Sequence, residues 1–109
     1  QLQNADGKYV SPDDTAFAAA AASADWFSVP GMGISMVNAK GDNAWPVSTA
    51  SFILMYKNPA DKAASAEALK FFDWAFSKGK TLATELDYVP LPDALTAQIR
   101  SKVWTQIKK

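Results

Sequence analysis

The longest run of large apolar side chains in this 109-residue chain is Phe52-Ile53-Leu54-Met55-Tyr56. Five apolar residues without polar alternation predict a strand covered on both faces, the kind found in parallel or mixed sheets flanked by helices. The run is entered through Trp45-Pro46, where the proline pushes the residue before it out of the helical region. Residues 42–57 therefore read as extended chain feeding a buried strand, the way a polypeptide crosses between two lobes. A different period follows. Ala64, Ala68, Phe72, Ala75 and Phe76 share one face of a helix. The turn Asn58-Pro59-Ala60-Asp61 supplies two candidate N-caps, Asn58 and Asp61, and the helix reaches Lys78 and ends at Gly79. Leu69 and Phe71 widen the apolar stripe. Trp74 lies toward the other side and predicts a helix covered on more than one face, its aromatics serving as core packing.

The N-terminal half is punctuated more densely. Asn4-Ala5-Asp6-Gly7 carries a turn signal, because glycine takes the positive φ such turns need; Tyr9-Val10 follows as a short extended piece of a hairpin or loose turn. Ser11-Pro12-Asp13-Asp14 reads as a helix start, with Ser11 as the cap, Pro12 at the first helical position and two aspartates at the positive end of the dipole. The helix continues through five alanines, Ala18 to Ala22, and closes at Asp25-Trp26-Phe27. Neighbouring residues on a helix point in different directions, so Asp13 and Asp14 read as dipole partners and not as an acid/base pair. Ser28 to Gly33 is a loop by its Pro-Gly step, too sparse in glycine to cradle a phosphate. Ile34 to Val37 alternates as a short strand would. Asn38 to Asp42 is a polar turn.

Beyond Gly79 a short helix runs through Leu82 and Leu86, and Asp87 to Pro92 is a proline-punctuated linker. The last helix starts at Pro92-Asp93. Leu95, Ile99, Val103 and Ile107 step along it by four, with Trp104 beside them. Arg100, Lys102, Lys108 and Lys109 toward its end suit the negative pole of the dipole.

Composition narrows the chemistry. The chain is 49% hydrophobic and 20% charged, as a soluble globular protein is, and its formal net charge of zero argues against a dedicated nucleic-acid binder. No apolar stretch approaches the roughly 20 residues a bilayer span needs. The opening QLQNADGKYV lacks the charged start and apolar segment of a secretory precursor; a mature product or a cut fragment would look the same. Cysteine and histidine are absent. Thiol nucleophiles, histidine-based triads and zinc sites with the usual ligands cannot be built from this chain alone. The expectation is a protein that is not an enzyme and has no cofactor.

Three motifs read together: Asp42-Asn43-Ala44-Trp45-Pro46-Val47 followed by Phe52-Ile53-Leu54; Leu69-Lys70-Phe71-Phe72-Asp73-Trp74-Ala75; and Leu86-Asp87-Tyr88-Val89-Pro90-Leu91-Pro92. In this order they resemble the C-terminal part of the periplasmic phosphate-binding proteins of Pst-type ABC transporters. Asn4 to Lys8, Ser11-Pro12 and Ala24-Asp25-Trp26 resemble the same family just upstream. The resemblance implies an α/β chain, a fragment of a type II periplasmic-binding-protein fold with a mixed sheet flanked by helices. It implies residues 1–42 in the second lobe, a hinge crossing at 43–49, and residues 50–109 completing the first lobe. It further implies a periplasmic protein that binds inorganic phosphate and serves permease subunits of an ABC transporter.

Such proteins hold phosphate through backbone N–H groups at helix N-termini, hydroxyls, an arginine and an aspartate that accepts the ligand's proton. The Ser-Gly-Thr segment and its nearby arginine are not in this sequence; Arg100, its only arginine, lies on the last helix. No phosphate ligand is carried over. Trp45, Pro46, Ser48 and Thr49 are the residues placed near the crossing, with Ser48 and Thr49 nearest the cleft. Two other readings stand beside this one: a binding protein for another oxyanion such as sulfate or molybdate, and an interaction module that binds no anion. The chain is expected either to stay bound to the missing N-terminal part or to self-associate.

Overall fold

The computed structural model describes residues 1–109, which divide into two packing units, Gln1–Ser51 and Phe52–Lys109. The first unit opens with a two-stranded antiparallel ribbon. Strand β1 (Leu2–Gln3) pairs with β2 (Tyr9–Val10) in the register Leu2 to Val10 and Gln3 to Tyr9. The turn between them is the one Asp6-Gly7 signals. Gly7 sits at φ 76° and its N–H donates to the Asn4 carbonyl at 3.0 Å.

Helix α1 spans Asp14–Ser23. Its cap is Asp13 and not Ser11. Asp13 is still extended (φ −128°, ψ 167°), and its Oδ1 accepts from the Ala16 N–H at 2.8 Å. Pro12 consequently precedes the helix instead of opening it. Ala16, Ala20 and Ala21 are buried; on that face the absence of bulk lets another backbone come close, and the Trp45 N–H donates to the Ala16 carbonyl at 3.0 Å. The helix stops at Ala24, ahead of the expected Asp25-Trp26-Phe27, because Ala24 turns extended. Trp26 then folds back, buried, and its indole N–H donates to the Ala21 carbonyl at 2.8 Å, one of the four that the helix end leaves unpaired. The Pro-Gly loop holds a 3-10 turn at Pro30–Met32 with Gly31 at φ 74°. Ile34 to Val37 is not a strand: the unit's one ribbon is built from β1 and β2, and this segment has no ladder to join.

The second unit overturns the central sequence expectation. Phe52 to Tyr56 forms no strand, and the side chains of Phe52, Ile53, Leu54 and Tyr56 are exposed, Leu54 to 94%. A strand covered on both faces needs neighbours on both edges and layers above and below. This chain supplies only the two-residue strands of the first unit, so the predicted mixed sheet flanked by helices is not present. The observed architecture is helix-rich with a two-stranded sheet.

The helix starts of this unit follow the sequence, but the last helix, expected to run through Ile107, ends as an α-helix at Gln98. Helix α2 (Lys62–Ser77) is capped by Asp61, whose Oδ1 accepts from the Ala64 N–H at 2.9 Å. Helix α3 covers Lys80–Glu85 and α4 covers Asp93–Gln98. Past α4 the coil widens to a π turn at Ile99–Val103 and tightens to a 3-10 turn at Trp104–Gln106. Leu69, Leu95, Ile99 and Ile107 form the core, and the rings of Phe76 and Trp104 stack at 5.6 Å and 5°. Gly79 ends α2 for an unexpected reason. It is not left-handed (φ −74°); a Cβ there would lie 2.9 Å from the Ala75 Cα and 3.3 Å from the Trp74 ring. Close approach, and not dihedral freedom, requires the glycine. The second covered face expected of α2 is absent: Phe71 and Trp74 are exposed and stack on each other at 6.0 Å. No helix is long and apolar enough to cross a membrane.

Candidate functional site

The four residues singled out by sequence lie at the end of the first unit, and the fold treats them unequally. Trp45 is half-buried, with its ring edge-on to Phe17 at 6.3 Å and its N–H given to Ala16. Pro46 is buried, and its carbonyl accepts from the Asn38 N–H at 2.8 Å. Asn38 reaches that position in a left-handed conformation (φ 55°). The half-buried Ser48 turns its hydroxyl inward and donates to the Trp45 carbonyl at 3.1 Å; Thr49 is exposed.

What holds this segment is a residue the sequence marked only as part of a turn. The buried Asn4 side chain donates through Nδ2 to the carbonyls of Gly41 (3.0 Å), Asp42 (2.9 Å) and Ala44 (3.3 Å). Its Oδ1 accepts from the backbone N–H groups of Asp6 (3.1 Å) and Lys8 (2.9 Å). Asp6 completes the junction by accepting from the Gly41 N–H at 2.6 Å. Asparagine in an Asn-x-Asp-Gly turn signals local bonding. Nothing in the local pattern signals partners more than thirty-five positions away.

The chemistry available here is limited. An oxyanion is held by convergent N–H and O–H donors or by a cation. The Ser48 proton is committed to a carbonyl, and the Asp6 carboxylate faces a backbone amide. The N-termini of α1 and α2, where an anion would gain from the dipole, already carry the carboxylates of Asp13 and Asp61. No group of three or more His, Cys, Asp or Glu side chains converges as a metal site would require.

Three ion pairs lie within the second unit, Lys70 with Glu67, Lys80 with Asp93 and Arg100 with Asp73. The Arg100 Nε lies 2.6 Å from Asp73 Oδ1, and its guanidinium sits over the rings of Phe76 (5.9 Å) and Trp104 (6.0 Å). Lys80 is hydrogen-bonded to Asp93 and holds that carboxyl below the usual carboxylate range; the charges of Lys80 and, more weakly, Arg100 act in the same direction.

No protein-family model matches the chain. Curated relatives do. The phosphate-binding protein PstS of Pasteurella multocida is 47% identical over 107 residues, which is 98% of this chain and 31% of that protein. PstS of Haemophilus influenzae is 44% identical over 108 residues, 99% of this chain and 32% of its own length. PstS of Xylella fastidiosa is 45% identical over 100 residues, 92% and 28% respectively. The chain thus spans about a third of the length of the curated relatives it matches. With identity of this level running through almost every element described above, the chain belongs with the PstS phosphate-binding proteins, and the match is consistent with a C-terminal portion of one.

Proposed function

We propose that this chain is part of the solute-binding component of an ABC-type phosphate importer, a protein that binds inorganic phosphate in the periplasm and presents it to permease subunits. The observation that carries this reading is the 47% identity to PstS of Pasteurella multocida along 98% of the chain. Its role is binding and not catalysis. The whole protein would have the type II fold: residues 1–42 in one lobe, 43–49 crossing, 50–109 completing the other. The change of packing unit after Ser51 supports a division in this region. The phosphate ligands would come from the portion not represented here, in keeping with the committed donors around Ser48 and the carboxylate-capped helices. That portion would also cover the exposed apolar side chains of Phe52, Ile53, Leu54, Tyr56, Phe71 and Trp74; alone, the chain would bury them by self-association.

The test is a chimera in which this chain replaces the matching third of the Pasteurella multocida protein. Calorimetric titration with inorganic phosphate, and separately with sulfate, is the readout. Phosphate binding by a folded chimera supports the proposal. A folded chimera that ignores phosphate, or prefers sulfate, overturns it.

A further inference from the structure

Asn4 uses both ends of its amide. Oδ1 shapes the β1–β2 turn through the N–H groups of Asp6 and Lys8, and Nδ2 gathers the carbonyls of Gly41, Asp42 and Ala44. The chain that leaves this junction stays tied to the first unit for two more residues: Trp45 through its N–H to Ala16, Pro46 through its carbonyl to Asn38. After Pro46 the recorded tie is local, from the Ser48 hydroxyl back to the Trp45 carbonyl. Val47 and Thr49 are exposed.

We propose that Asn4 is a positioning residue that clamps the start of the connector between the two units, so that the connector bends only beyond Pro46, within residues 47–51. The crossing drawn from sequence at 43–49 would then be two segments of unlike stiffness. Residues 43–46 belong to the body of the first unit, and the pivot begins at Val47. A fully bonded buried amide suits this task. Each of its partners is a backbone group, so its loss frees main chain directly and takes from the buried Ala44 carbonyl the donor it has there.

Hydrogen exchange followed by NMR on the 109-residue chain tests the clamp. In the unmodified chain, the Ala44 and Trp45 amides should exchange slowly and those of 47–51 fast. Asn4→Asp keeps an acceptor for the Asp6 and Lys8 N–H groups and sets an oxygen against the three carbonyls. It should speed exchange at Ala44 and Trp45 by on the order of tenfold, leaving Ala20 and Ala21 in α1 unchanged. Uniform acceleration through α1, or none at Trp45, overturns the clamp. Should the variant not fold, the unmodified chain still decides: a Trp45 amide as fast as that of Thr49 overturns it.

A second arm rests on the proposed function. A loosened connector adds freedom to the empty form that binding must remove. In a chimera shown to bind phosphate, Asn4→Asp should weaken phosphate binding roughly tenfold while its preference over sulfate stays unchanged. Unchanged affinity overturns the link between clamp and binding. A parent chimera that fails to bind counts against the function alone, and the exchange result stands.

Discussion

The indole N–H of Trp26 donates to the main-chain carbonyl of Ala21 at 2.8 Å, from a ring buried under the end of α1. A helix without a C-terminal glycine is closed here by a side chain from five positions on. Trp26→Phe keeps most of the apolar contact and removes the donor. We expect a loss of about 1–2 kcal/mol in stability, from the carbonyl left unpaired. Trp26→Ala should cost roughly 3–5 kcal/mol, because a cavity is added. Urea denaturation followed by far-UV circular dichroism measures both, and equal losses would show that the hydrogen bond is immaterial.

The two serine and aspartate candidates ahead of α1 are separable in the same way. Asp13 caps the helix and Ser11 does not. Asp13→Ala should cost about 1 kcal/mol, whereas Ser11→Ala should fall within roughly 0.5 kcal/mol of the parent. Reversal of that order in denaturant midpoints would place the helix start two residues earlier.

Gly79 offers a contrast between two kinds of glycine. Were it a left-handed cap, asparagine would be tolerated best. Because the obstacle is the Ala75 backbone 2.9 Å from an added Cβ, alanine and asparagine should both be unfavourable, by about 1–3 kcal/mol for the displaced backbone. Thermal unfolding of Gly79→Ala and Gly79→Asn checks this; a neutral asparagine would contradict it.

Lys80 lowers the pKa of Asp93. A carboxyl whose folded pKa is depressed contributes stability above its unfolded pKa, and that contribution fades as pH falls through the folded value. The unfolded reference is near 3.8, so the fading lies in the acid range below it. At neutral pH the parent should melt slightly above Asp93→Asn, by a small margin since Asp93 is exposed. The two melting curves should converge in strong acid and draw together with added salt. A gap that persists at low pH would mean that Asp93 acts through its shape and not its charge.

What the sequence made legible was punctuation and period. Asp61 ahead of Lys62, Gly79 after Ser77, and Pro92-Asp93 each use local rules, and each helix of the second unit starts where those rules put it, while the last one leaves the α form after Gln98. The identity of α1's cap was missed because Ser11, Asp13 and Asp14 all satisfy the same rule and only the dihedral of Asp13 chooses among them. The strand at Phe52 failed for another reason. A run of apolar residues says that a segment is to be covered, and the covering layers must come from elsewhere. The junction at Asn4 lay beyond reach altogether, since its meaning rests on carbonyls of Gly41, Asp42 and Ala44 that carry no side-chain signature. The Trp45-Pro46 segment was singled out by its letters, and the Asn4 side chain that anchors the chain entering it was not.

The Lys108 N–H donates to the Lys57 carbonyl at 2.8 Å. That bond turns the second unit into a ring with a seam. The helices between those two residues hang from one point where the chain comes in and goes out, so a short linker joining Lys57 to Lys108 would close the loop at little entropic cost. New ends could then be opened at the exposed Tyr88, between α3 and α4. Such a rearranged order of the same residues should keep the Phe76–Trp104 stack intact, because the contacts of this unit depend on where its helices lie and not on which of them is read first.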